Sequence, residues 1–126
     1  MGGGESILVV EDEVDIRSMV GMALRIAGFR VAEAANGREA LTRLREDTPL
    51  GLILLDLRMP IMNGWEFREE QLRDVALSTI PVVVMSGDGN VAAIAEAINA
   101  GDYLTKPIAL GRLLATVRRH CAAPAR

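Results

Sequence analysis

Leu52-Ile53-Leu54-Leu55-Asp56-Leu57-Arg58-Met59-Pro60-Ile61-Met62-Asn63-Gly64 runs four branched apolar residues into one carboxylate, then breaks regular structure with Arg-Met-Pro and Asn-Gly. A continuous apolar run bounded by turn signals reads as a strand buried on both faces, as a parallel sheet requires. Asp56 falls at the C-terminal lip of that strand, the edge where open α/β sheets hold their ligands.

The segments on either side supply such a sheet. Ser6-Ile7-Leu8-Val9-Val10 is a short β-branched run, a first buried strand, and it ends in three carboxylates, Glu11-Asp12-Glu13. Ile16, Val20, Ala23, Leu24 and Ala27 then recur at helical spacing, with Arg17 and Arg25 off the stripe and Gly28 as a left-handed C-terminal cap. Arg30 to Ala34 alternates only roughly and reads as an edge strand. Asn36 with Glu39 three residues on marks a helix start, Ala40, Leu41 and Leu44 its buried face, and Pro49 lies beyond its end.

Beyond Gly64, Trp65 to Asp74 reads as a surface helix with Phe67, Leu72 and Val75 among charges, and Trp65 as a packing residue. Ile80-Pro81-Val82-Val83-Val84-Met85 is a fourth buried strand, with Pro81 near its beginning. Val91 to Ala100 reads as a helix terminated by Gly101, Asp102-Tyr103-Leu104-Thr105 as a very short fifth strand, and Leu110, Leu113, Leu114 and Val117 as the stripe of a last helix. Five βα units predict a doubly wound α/β domain over 1–126, with five parallel strands and five helices on both faces. Residues 1–5 and 122–126 are expected to be flexible ends.

Composition narrows the function classes. A chain of 126 residues is long enough for one buried core, and half of it is hydrophobic with only four aromatics, Phe29, Trp65, Phe67 and Tyr103. A net charge of −3 and a pI near 5.2 argue against a nucleic-acid surface, and Arg118-Arg119 reads as compensation of a helix dipole. One cysteine, Cys121, excludes an internal disulfide and a cysteine-built zinc site, and its neighbour His120 does not share its helix face. No apolar run approaches membrane-spanning length and no signal-peptide pattern is present, so the expected location is cytoplasmic.

Polar residues stand where apolar strands end: Glu11 and Asp12 after the first, Asp56 at the third, Ser86 after the fourth, Lys106 after the fifth. Doubly wound sheets place all these ends along one edge, provided that the first and third strands are neighbours, as in the order 2-1-3-4-5. Three carboxylates gathered there repel one another unless a cation joins them, and a small all-oxygen site with room for water suits Mg²⁺. Lys106 adds a compact positive charge and Ser86 a hydroxyl donor, completing the parts for phosphoryl transfer onto a carboxylate. Taken singly, each residue has a plainer reading: Asp56 and Ser86 as turn residues, Glu11-Asp12-Glu13 as an acidic first helical turn, Lys106 as a solvated lysine.

The ordered set Glu11-Asp12, Leu54-Leu55-Asp56-Leu57-Arg58-Met59-Pro60, Gly64, Val83-Val84-Met85-Ser86-Gly87 and Asp102-Tyr103-Leu104-Thr105-Lys106-Pro107 resembles the receiver domain of two-component response regulators across essentially the whole chain. The resemblance implies the 2-1-3-4-5 order and a switch that catalyses only its own phosphorylation and dephosphorylation. Asp56 would accept phosphate from a histidine kinase or histidine phosphotransfer protein. Asp12 and Asp56 would bind Mg²⁺ directly, Glu11 through water and Arg58 through its backbone carbonyl. Lys106 would pair with the phosphate, Ser86 would turn towards it, and Tyr103 would swing inwards.

This chain departs from that pattern at the turn before the fifth strand. Receivers usually read Gly-Ala-x-Asp-Tyr where this chain has Gly-Asp-Tyr, about two residues fewer, on a face that many receivers use to dimerise or bind targets. A homodimer through the fourth helix, fifth strand and fifth helix is a further expectation, as is a separate output partner or output domain. Gly87 and Arg58 beside the acceptor bear on water access and phosphate lifetime. Two rivals remain on residues alone, a flavodoxin-like cofactor or nucleotide module and a phosphatase with an Asp nucleophile. The first is short of aromatics, and the second would want an Asp where Arg58 stands.

Overall fold

The computed structural model describes residues 6–46 and 49–121. The ends expected to be flexible, 1–5 and 122–126, lie outside the described residues. Five strands, β1 (Ser6–Val10), β2 (Arg30–Ala34), β3 (Leu50–Asp56), β4 (Val82–Ser86) and β5 (Asp102–Thr105), form one parallel sheet in the order β2-β1-β3-β4-β5. Between and after them run α1 (Val14–Ile26), α2 (Gly37–Leu44), α3 (Gly64–Arg73), α4 (Val75–Ser78), α5 (Val91–Ala97) and α6 (Leu110–His120). The expected fourth and fifth helices are thus α5 and α6.

Side-chain alternation along the strands builds two core layers. Ile7, Val9, Leu52, Leu54, Val83, Met85 and Leu104 pack with Val20 and Leu24 of α1 and Leu113 and Val117 of α6. Leu8, Val10, Ile53, Leu55 and Val82 face the other way, onto Ala40, Leu41 and Leu44 of α2 and Phe67 of α3. A smaller cluster of Leu57, Val84, Val91 and Ala95 seats α5, with Trp65 and Tyr103 partly buried against it. Because β3 faces both layers, none of its seven residues is exposed, which is why its sequence reads as an unbroken apolar run.

The helix boundaries follow from local chemistry. At the end of α1, Gly28 has φ 100° and the amides of Gly28 and Phe29 donate to the carbonyls of Arg25 and Leu24, closing the helix as a Schellman turn. Asn36 caps α2 by accepting from the Glu39 amide, but the Glu39 carboxylate turns back to the amide of Ala35. The complete capping box is at α3, where Asn63 accepts from the Glu66 amide and Glu66 accepts from the Asn63 amide.

Three expectations are corrected. The described residues hold six helices, not five, because extended Asp74 stops α3 and its carboxylate caps the single turn of α4 through Ala76 N. Helix α5 ends at Ala97, and Asn99, at φ 60°, rather than Gly101, takes the left-handed position. Strand β4 starts after Pro81, which cannot donate to a ladder but whose carbonyl accepts from Ile53 N.

The loop after β3 contains a tight turn that its sequence does not favour. Met62 N donates to Pro60 O at 2.7 Å across Ile61, which has φ 70° and is 74% exposed. A β-branched residue at positive φ is strained, and this side chain gains little burial in return. Ile61→Gly is expected to raise stability by about 1 kcal/mol, relief of strain exceeding the chain entropy that glycine adds. Urea denaturation checks it: the midpoint should rise at unchanged slope, and a lowered midpoint contradicts the strain.

Candidate functional site

Strand register lays out the site. Val10 pairs with Leu55, Asp56 with Met85, and Ser86 with Thr105, so Glu11, Asp56, Ser86 and Lys106 end up along one edge. By alternation, Glu11, Asp56 and Lys106 continue the rows of Val9, Leu54 and Leu104 on the α1–α6 side. Ser86 continues Val82 and Val84 on the α5 side. One glycine lets the loop close over this edge. A Cβ on Gly64 would sit 2.6 Å from Asp56 O and 2.8 Å from Leu57 Cα, so α3 starts against the backbone of the acceptor strand only because position 64 has no side chain.

Lys106 Nζ donates to Asp56 Oδ1 at 3.1 Å and lies 2.7 Å from Glu11 Oε1. Both carboxylates are buried, Glu11 completely. Burial holds the Glu11 and Asp56 carboxyls above their ordinary values, although the Lys106 ammonium pulls both down. Burial also disfavours the Lys106 charge, but the bonds to Glu11 and Asp56 outweigh it and hold the ammonium above the ordinary lysine value. Arg17 Nη1 donates to the carbonyl of Glu11 at 2.7 Å while its Nε meets Glu33 of β2, fixing the backbone of the acidic loop.

Oxygens of Glu11, Asp12 and Asp56 all lie within 4.8 Å of one another. Glu11 Oε2 accepts from Glu13 N, and Oε1 meets the Lys106 ammonium at 2.7 Å. Three converging carboxylates, two of them buried, share one ammonium, and that surplus of negative oxygen fits a hard divalent cation or its water shell. The donor set therefore suits Mg²⁺.

Among the described residues, a cleft of about 330 Å³ opens over Asp56, lined by Asp12, Glu13, Arg58, Ser86, Gly87, Asp88 and Lys106. The structure thus brings Glu11, Asp56 and Lys106 into contact, with Asp12 within 4.8 Å of both carboxylates and Ser86 and Arg58 at the cleft wall. Ser86 Oγ is engaged elsewhere: it lies 3.2 Å from Asp88 Oδ2 and accepts from Asp88 N. The Arg58 guanidinium crosses to Asp88 Oδ2 at 3.2 Å and lies over the Trp65 ring, 5.6 Å from its centroid. Tyr103 is not at this cleft; it is half-buried and lines a groove of about 600 Å³ with Ala92, Ala95, Glu96 and Asn99 of the α5 side. Arg119 does more than offset a helix dipole, since with His120 it binds Asp102 at the start of β5. Burial would raise the Asp102 carboxyl, but hydrogen bonds from Arg119, the Tyr103 amide and His120 bring it down to about 2.

Neither Asp88 nor Arg17 is given a role at the site by its place in the sequence. Asp88 had a signal, because Ser-x-Asp allows the side-chain-to-backbone turn that forms here. Arg17 had none, since it lies on α1 and its partner Glu33 lies sixteen residues away on β2.

Comparison with known proteins points one way. The response regulator receiver domain family matches residues 7–118. The alkaline phosphatase synthesis transcriptional regulatory protein SphR of Synechococcus elongatus is 38% identical over 122 residues, covering 89% of this chain and 47% of that protein. The phosphate regulon transcriptional regulatory protein PhoB of Pseudomonas aeruginosa is 34% identical over 122 residues, covering 92% and 53%. The chain spans about half the length of these two relatives. Among solved structures, the chemotaxis protein CheY4 of Vibrio cholerae superposes with a TM-score of 0.84 at 30% identity, covering 93% of this chain and 98% of that one. The receiver domain of NtrX from Brucella abortus gives 0.82 at 32%, covering 91% and 97%.

Proposed function

The chain belongs to the response regulator receiver domains, the phosphorylation-dependent switches of two-component signalling, and from that premise we propose that Asp56 is its phosphoryl acceptor. One observation carries this reading: a buried carboxylate at the end of the central strand, 3.1 Å from an ammonium and within 4.8 Å of two more carboxylates. The donor would be a histidine kinase or a histidine phosphotransfer protein. An Asp56 oxygen attacks phosphorus, the phosphorus–imidazole nitrogen bond breaks, and the nitrogen keeps the electron pair and takes a proton.

Asp12, Asp56 and the Arg58 carbonyl would hold Mg²⁺ directly and Glu11 through water. When bound, the ion supplies charge neutralisation between the carboxylates and the phosphoryl oxygens. Lys106 would transfer its contact from Asp56 Oδ1 to the arriving oxygens, placing a cation where negative charge accumulates. Ser86 has to leave Asp88 Oδ2 to donate to the same group, and that step would couple phosphorylation to the β4–α5 loop. Tyr103, lining the groove between α5 and β5, would repack in response. Output would leave through the α5–β5–α6 face, to a partner protein, an output domain or a second copy.

Acetyl phosphate with Mg²⁺, followed by intact mass, tests the assignment. Wild type is expected to gain one phosphoryl group, and Asp56→Asn and a sample treated with chelator none. An undiminished adduct on Asp56→Asn would place the acceptor elsewhere.

A further inference from the structure

The least expected group in the molecule lies outside the acceptor cleft. Arg68, on α3, is only 6% exposed, and among the described residues no carboxylate pairs with it. Its fork is spent on neutral acceptors. Nε donates to Ile98 O at 2.9 Å, Nη2 to Asn99 O at 2.7 Å and Nη1 to Gln71 Oε1 at 2.7 Å. Gln71, fully buried one turn on, donates to Leu77 O and Ile80 O. Two side chains of α3 therefore tie the last turn of α5 to α4 and to the approach of β4.

The turn before β5 explains why a cation belongs there. Helix α5 closes as a Schellman turn, with Asn99 N on Glu96 O and Ala100 N on Ala95 O, and Gly101 N goes directly to Val82 O. That leaves the carbonyls of Ile98 and Asn99 turned inwards at the negative end of a helix, and Arg68 satisfies both. Burial holds the Arg68 guanidinium below its ordinary value, so the charge is there at a cost that these acceptors offset. A rigid planar fork tolerates little displacement. Sliding this turn by an ångström or so breaks two bonds of 2.7–2.9 Å and strands a buried cation. Among the described residues the other end of α5 has no comparable polar tether: Val91 is held by apolar packing alone, Asn90 makes no side-chain cap bond, and nothing lies within 4 Å of a Cβ placed on Gly89.

We propose that Arg68 is the pivot of the switch, pinning the C-terminal end of α5 and the turn into β5 to α3, so that rearrangement follows only the β4–α5 loop and the first turn of α5. Its second half rests on Asp56 as acceptor; the pinning itself does not. Arg68 is a positioning residue acting through backbone carbonyls, and it lies outside the phosphorylation machinery.

Native-state amide exchange on the unphosphorylated protein tests the pinning. Arg68→Met is expected to speed exchange at Asn99, Ala100 and Gly101 at least tenfold more than at Leu8 and Leu54, whose amides follow global opening. Equal acceleration at both sets would reduce Arg68 to an ordinary stabilising residue and overturn the proposal. Should Arg68→Met not fold, the wild-type Arg68 Nε–H signal decides: slow exchange with solvent is expected, and exchange at the rate of an exposed arginine contradicts the latch. With acetyl phosphate and Mg²⁺, changes in wild type are expected within 86–96 and, in Arg68→Met, through 102. Wild-type changes reaching 99–102 overturn the pivot. Absence of any adduct by intact mass removes the Asp56 reading and the pivot with it, while the unphosphorylated data still decide the latch.

Discussion

Lys106→Met is expected to cost about 3–5 kcal/mol of folding stability at neutral pH, the range for removing one partner of a buried ion pair. Lys106 Nζ is the cation that faces both buried carboxylates, Glu11 at 2.7 Å and Asp56 at 3.1 Å. Methionine keeps most of the volume and removes the charge, so packing loss is a small part of the effect. Two carboxylates then repel without an ammonium between them, and their carboxyls rise further above the ordinary range because the downward pull of Lys106 is gone. The folded variant therefore binds protons more tightly than its unfolded chain, and the loss should be greater at pH 8 than at pH 5. Denaturant unfolding at both pH values measures this. Adding Glu11→Gln to Lys106→Met should recover a substantial part of the stability, since it removes the carboxylate with no exposure at all. A loss below about 1 kcal/mol, or no recovery in the double variant, would show that the three groups are not coupled as the distances imply.

Legibility of this chain in its sequence depended on how local each decision was. The run Leu52–Leu55 declared a two-faced strand because burial on both sides needs nothing but apolar residues, and β3 is buried throughout. Asp56, Glu11, Asp12 and Lys106 could be found because each is polar where an apolar run stops, and parallel register then aligns those ends without further choice. Helix α3 misled for the opposite reason. Its buried stripe is Gly64, Phe67, Arg68 and Gln71, at regular helical spacing but half polar, whereas Leu72 is exposed and Val75, which belongs to α4, is 85% exposed. An arginine is acceptable in that stripe only because the carbonyls of Ile98 and Asn99 meet it from thirty residues away. The end of α5 failed on a local ambiguity: Asn99 and Gly101 both suit a left-handed cap, and composition does not rank them. Asp88 was hidden by its own turn, where Ser-Gly-Asp-Gly accounts for itself before any function is invoked.

Asp56→Asn should make the protein more stable than wild type at neutral pH, by about 1–3 kcal/mol, while abolishing phosphoryl acceptance. The sign follows from the folded-state shift. Burial holds the Asp56 carboxyl above its ordinary value of 3.8, with the opposing pull of Lys106 already included in that net direction. A carboxyl raised in the folded state binds its proton more tightly folded than unfolded, so wild-type stability falls as pH rises from the ordinary value to the raised one. Above that window the full penalty of a buried charge remains; below it Asp56 is neutral in both states and resembles asparagine. The gap between variant and wild type should thus be near zero in acid, open across the window and stay constant at neutral pH. Lys106 does not alter this, since its own raised value confines its titration to alkaline pH. If Mg²⁺ is held by the folded carboxylates and not by the unfolded chain, as proposed, it should stabilise wild type by mass action and narrow the gap. Unfolding midpoints of both proteins from pH 3.5 to 8, with and without millimolar Mg²⁺, provide the comparison. An asparagine variant no more stable than wild type at pH 7, or a gap indifferent to pH, would mean that the Asp56 charge is fully compensated before any phosphate arrives. The receiver would then lack the stored repulsion that lets a cation and a phosphoryl group shift it between states.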